Sequence, residues 1–145
     1  MIRKVVVALI SSLLFCVILA WFNYIPAAQQ QPNTYYWSFF SLVAIYLIYA
    51  IPVYIVGGVP VSILIEALNR QIAWANPVIV YLFRFIAYAV AGMLLMMLFQ
   101  FVTSAGTLTN SLLSSGAVWG MLASILYLHV WLVSFWVVKE KRRVW

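Results

Sequence analysis

From Ser38 to Gly57 the chain runs for 20 residues, SFFSLVAIYLIYAIPVYIVG, without a charged side chain. At ~1.5 Å of rise per residue, a helix of that length covers the ~30 Å hydrocarbon core of a bilayer. Three more long apolar runs follow this pattern, 5–25, 77–101 and 117–138, the second of them interrupted by one charge, Arg84. A chain built this way is bound to lipid. Only 7% of its residues are charged and 68% are hydrophobic, with a mean hydropathy of +1.10. Soluble domains carry ~25% charged residues, so a water-soluble fold is excluded. The expected fold is all-α: a four-helix transmembrane bundle in a single domain, 1–145.

After the second span, Gly57, Gly58 and Pro60 predict a stop, because glycine weakens a helix and proline lacks the amide donor. Beyond them Ser62, Glu66, Asn69 and Arg70 recur at helical spacing among Val61, Ile63, Leu64, Ile65 and Leu68. This pattern predicts a short amphipathic helix over 61–71, lying at the membrane interface with its polar stripe toward water. Glu66 stands four residues before Arg70, the favourable orientation for a helical ion pair. The rival reading is one long helix through both pieces, kinked at Pro52 or Pro60.

The eight cations and two acids give a net charge of +6. In a soluble chain that excess would suggest nucleic acid. Here the cations flank spans, so they set orientation and meet anionic lipid heads, and no nucleic-acid partner is expected. Arg3, Lys4 and Arg70 fall on one side of the predicted spans, together with the tail cations Lys139, Lys141, Arg142 and Arg143. The loops 26–34 and 103–115 on the other side carry no charge. The positive-inside rule predicts a multi-pass protein of the cell membrane with both termini cytoplasmic. Aromatic residues bracket the first loop, Trp21, Phe22 and Tyr24 before it and Tyr35, Tyr36 and Trp37 after it, as in an interfacial belt. The first apolar run continues through Trp21 and Phe22, longer than a signal-peptide core, and is read as a retained span. Asn76 before Pro77 reads as the cap of the third helix. Cys16 is the one cysteine, so no intrachain disulfide is available.

Ionisable residues inside spans are functional candidates by default. His129 lies mid-span in the fourth helix. A proton relay or a metal site would need a second group at depth, so the preferred role is a neutral imidazole bonded to another helix, with Tyr46, Tyr49 and Tyr88 available. Arg84 lies seven residues past Pro77, ~10 Å inside the helix start. Its stem can snorkel to the cytoplasmic surface; the sharper alternative is a buried pair with Glu66, latching the interfacial helix to the third span. Two ladders of small residues at four-residue spacing, Ala8, Ser12, Cys16, Ala20 and Gly116, Gly120, Ser124, are faces for close helix approach. Met93, Met96 and Met97 read as filler, and no metal or cofactor is expected.

The layout and the YYWSFF…IPVYIVGGVPVS segment resemble the small, uncharacterised integral membrane proteins of Bacillus-type bacteria. That resemblance implies the four-span architecture and carries no activity or site residues. The chain is unlike the small multidrug-resistance transporters, whose first helix holds a membrane glutamate that the run 5–25 lacks. No HExxH, CxxC, GxSxG or phosphate-binding glycine motif occurs. A non-enzymatic accessory, regulatory or protective factor is therefore expected, acting through helix contacts within the lipid bilayer on another membrane protein or a second copy. The alternative is a small oligomeric transporter or channel using His129 and Arg84.

Overall fold

The computed structural model describes residues 2–72, 76–103 and 110–141, with the side chains of the last helix described over 116–135. The described residues form four helices: α1 (Ile2–Asn23), α2 (Phe39–Gln71), α3 (Pro77–Thr103) and α4 (Asn110–Lys141). The fold is an all-α bundle, and each helix is long and apolar enough to cross a membrane. Neighbours run antiparallel, so the start of α1, the end of α2, the start of α3 and the end of α4 share one end. This charged end holds Arg3, Lys4, Glu66, Arg70 and Arg84. Arg142 and Arg143 lie outside the described residues, as do the side chains of Lys139 and Lys141.

Side-chain caps open two of the helices. The Ser38 hydroxyl accepts from the Ser41 amide at 3.2 Å at the start of α2. The Asn76 side-chain oxygen accepts from the Val78 amide at 2.9 Å and opens α3 at Pro77, as expected. The second loop is shorter than expected, because the α4 backbone is already helical at Asn110.

The predicted stop in the second helix does not occur. Backbone helix runs from Phe39 through Gln71, 33 residues or ~50 Å, and Val53–Gly58 adopts π geometry between Pro52 and Pro60. The Val59 amide bonds to the Tyr54 carbonyl, five residues back. A wider turn gives room for a proline ring that would otherwise meet the carbonyl four residues earlier. The backbone stays hydrogen-bonded through this wider turn, so the helix continues without ending.

The polar stripe of 61–71 also faces the other way. Ser62 and Asn69 are buried with Val59 and Ile65, while Ile63, Leu64 and Leu68 are exposed. This stretch continues the second helix and turns Ser62 and Asn69 into the bundle, so its polar stripe does not face outward as expected.

Both small-residue ladders are used inside the bundle. Ala8, Ser12, Cys16 and Ala20 are fully buried where α1 meets α2 and α4. At the α3–α4 crossing, a Cβ added at Gly92 would collide with the Gly120 carbonyl and the Ser124 side chain. One added at Gly120 would collide with the Gly92 carbonyl and sit 2.6 Å from the Met96 Cβ. Backbone touches backbone there, which only glycine permits. Gly116 abuts the Gln100 side chain.

Candidate functional site

Two features of the interior are candidates: a polar knot at the charged end and a cleft above it. In the knot, Lys4 Nζ lies 3.0 Å from Glu66 Oε2 and donates to Ser62 Oγ at 3.2 Å. Tyr127 Oη donates to the same Ser62 oxygen at 3.3 Å, and Ser62 donates to the Val59 carbonyl at 2.9 Å. The serine hydroxyl thus uses both lone pairs and its proton, the full capacity of the group. Glu66 is held by Lys4, not by Arg70, which is exposed, nor by Arg84. The alternative reading, a Glu66–Arg84 latch, is not what forms: Glu66 is tied to Lys4, joining α2 to α1.

Arg84 instead lies over the Trp131 ring, 5.4 Å from its centre, and Arg3 lies over Phe135 at 5.3 Å. Trp131 and Phe135 stack at 5.9 Å and 24°. Two cations from α1 and α3 thus flank one aromatic pair of α4, a packing that cation–π attraction favours at low dielectric. Arg3 also donates to Ser134 Oγ at 3.3 Å.

His129 points outward, toward lipid. Its Nδ1 is 2.8 Å from the Ile125 carbonyl, which can only accept, so Nδ1 carries the proton. Nε2 then accepts from Tyr81 Oη at 3.3 Å. The histidine does bond to another helix, as expected, but the partner is Tyr81 rather than Tyr46, Tyr49 or Tyr88. Among the described residues, no three His, Cys, Asp or Glu side chains cluster as a metal site.

The cleft lies on the side where α3 stands away from the first half of α2. The main contacts between these helices are made by the π segment and the turns after it. Between their halves remote from the charged end is a partly open cavity of about 580 Å³, lined also by Phe15 and Leu19 of α1, within the ~300–1,000 Å³ of ligand sites. Its walls run from Tyr46 to Val61 on α2 and from Thr103 to Tyr88 on α3, with Trp119 to Tyr127 of α4 behind. None of the described lining residues is charged. Toward the charged end three tyrosines from three helices contribute a floor: Tyr127 stacks on Tyr88 at 6.0 Å and meets Tyr54 at 6.3 Å. Tyr54 Oη donates to the Ala123 carbonyl at 2.9 Å, tying α2 to α4 at the back of the cleft. The knot lies directly beyond this floor, since Tyr127 belongs to both.

Neither His129 nor Arg84 lines the cleft, and Glu66 sits behind its floor. Gly120 and Ser124 do line it, as members of the α3–α4 crossing. The sequence reading missed Lys4, Ser62, Tyr54 and Tyr127 as a connected set. The recoverable signal was in 59–71, where a serine and an asparagine share a helical face with a glutamate. Compared with protein families, with curated proteins and with solved structures, the chain finds no match in any of the three.

Proposed function

We propose that the chain is a non-enzymatic multi-pass protein of the cell membrane, with both termini cytoplasmic, that holds an uncharged molecule or moiety taken from the bilayer. Holding that moiety is how it acts as an accessory or protective factor. The observation that carries this reading is the partly open cleft of about 580 Å³ between α2 and α3, lined among the described residues without a charge. Its polar lining groups are tyrosine, serine and threonine hydroxyls. Its described lining residues offer no carboxylate, imidazole, amine or thiol, so the chemistry they support is binding rather than bond-making. The small-residue ladders, which would serve a partner helix, are occupied within the bundle.

The test is photolabelling of the protein in nanodiscs with an uncharged, diazirine-bearing hydrocarbon, with adducts mapped by mass spectrometry. Labelling should concentrate on Leu95, Met96 and Ala123 in the cleft and fall when Ala50→Trp fills it. Equal labelling of the lipid-facing Ile48, Val90 and Leu94, unchanged by Ala50→Trp, would overturn the reading.

A further inference from the structure

We infer that Arg84 anchors the phosphate of an anionic phospholipid at the charged end of the bundle, a site separate from the cleft, which neither Arg84 nor Trp131 lines. The starting observation is a cation without a counter-charge. Arg84 makes no hydrogen bond or ion pair with any described residue, and its Nε is enclosed without an acceptor. Of the two acids in the chain, Glu66 is taken by Lys4 at 3.0 Å. Glu140 stands nine residues past Trp131, ~13 Å further along α4. A guanidinium has five N–H donors and no acceptor, so only an acceptor, best an anion, completes it. Arg84 is nonetheless fixed. Its Cζ lies 5.4 Å from the centre of the Trp131 ring, which stacks in turn on Phe135. A side chain seated this way has little rotamer freedom left to lose when a ligand arrives. With Nε enclosed, Nη1 and Nη2 of the half-buried side chain are the donors left to that ligand, a planar pair suited to two oxygens of one phosphate.

Depth identifies the phosphate as a lipid's. At ~1.5 Å per residue, the 27 residues of α3 cover ~40 Å, the hydrocarbon core together with its head-group layers. Arg84 starts ~10 Å inside that length, near the boundary of the core, and helix side chains lean toward the N-terminus, here the charged end. Its long stem carries the guanidinium to head-group level, where tryptophan is also favoured. Basic pockets between spans at this level hold phospholipid head groups. Net charge then selects the head. Arg3 stands on the other ring of the same aromatic pair, 5.3 Å from Phe135, with the Ser134 hydroxyl as its hydrogen-bond partner. Arg70 is exposed at the same end. Because the described acid, Glu66, is already paired, the positive group of a zwitterionic head finds cations and no spare carboxylate there.

The experiment is native mass spectrometry of the full chain in mild detergent, titrated with dioleoylphosphatidylglycerol, with dioleoylphosphatidylcholine and inorganic phosphate as competitors. One phosphatidylglycerol should bind ahead of any others, and neither competitor in excess should displace it. Arg84→Gln should weaken that first site by more than about tenfold, because it removes hydrogen bonds between charged groups. Arg84→Lys, which keeps the charge but not the paired donors, should weaken it less, and Trp131→Leu, which unseats the guanidinium, should weaken it as well. Arg70→Gln and Lys141→Gln each remove one peripheral charge and should each weaken it by about fivefold or less. Circular dichroism checks that the variants remain helical, and Arg84→Lys and Trp131→Leu carry the test if Arg84→Gln does not fold. Equal losses in Arg84→Gln, Arg70→Gln and Lys141→Gln would overturn the site in favour of diffuse attraction, as would unchanged binding in the Arg84 variants. Displacement by phosphatidylcholine would overturn the selection by charge, and displacement by inorganic phosphate would overturn the lipid as the source of the anion.

Discussion

The α3–α4 crossing and the π segment respond oppositely to the same substitution, glycine to alanine. At Gly92 an added methyl meets the Gly120 carbonyl and the Ser124 side chain, and the carbonyl belongs to a helix backbone that cannot rotate away. The two helices must part by roughly an ångström, and a 0.5–1 Å gap forfeits about a quarter to a half of the dispersion energy of each contact along the seam. Overpacking of this kind costs about 1–3 kcal/mol. The better helix propensity of alanine returns up to about 1 kcal/mol, so Gly92→Ala should be destabilising by about 1–2 kcal/mol. Gly58 has helical φ and ψ of −65° and −43°, and its added methyl would meet only Tyr54 at 4.0 Å. There the propensity gain stands unopposed, and Gly58→Ala should be neutral to stabilising by up to about 1 kcal/mol. Thermal unfolding in one detergent, followed by circular dichroism, compares the two. A Gly92→Ala protein that melts at or above the wild type would refute the backbone contact between α3 and α4.

Lys4 and Glu66 keep 17% and 18% of their side-chain surface exposed, so either Lys4→Met or Glu66→Leu should destabilise by about 1–3 kcal/mol, less than for a fully buried pair, and the two together should recover most of it; a thermal-melt double-mutant cycle without coupling would remove the tie. Tyr54→Phe deletes the hydrogen bond to the Ala123 carbonyl and should lower stability by about 0.5–1 kcal/mol in the same melts, as inter-helix bonds in membranes do. His129→Ala removes a lipid-facing bond to Tyr81 and should lower stability by about 0.6 kcal/mol while leaving the pattern of cleft photolabelling unchanged. Because Cys16 is buried, introduced cysteines report topology cleanly: Gln30→Cys should react with an impermeant maleimide on intact cells and Gln71→Cys only after lysis.

Much of the helical framework was legible in the sequence because it depends on local quantities. Long apolar runs marked the four long helices, Asn76 marked a helix start, and the small-residue ladders marked faces of close approach. Their partners were not legible. Gly92 carries no signal that it meets Gly120 rather than another helix, since that depends on the antiparallel register of α3 and α4. The pairing of Glu66 with Lys4 joins residues far apart in sequence, and the local alternatives, Arg70 one turn on and Arg84 on the next span, are each reasonable until the packing of α1 on α2 is known. The cleft has no sequence signature at all, because it is a separation between two helices rather than a property of either.

The two features of α2 that local rules misplace share one origin in the π segment. Tyr46 lines the cleft and Ser62 is buried in the knot, so both face the interior. On an unbroken α-helix, at about 100° per residue, the sixteen residues between them would set their faces about 160° apart, nearly opposite. A π turn takes in one extra residue and re-phases the helix beyond it, bringing the two faces to within about 60°. The polar stripe of 61–71 can then turn toward Lys4 and Tyr127, the polar groups available inside, while Ile63, Leu64 and Leu68 turn to lipid. Pro52, Gly57, Gly58 and Pro60 therefore act as a phase shift, through which one helix builds the apolar wall of the cleft in its first half and the polar knot beneath it in its second.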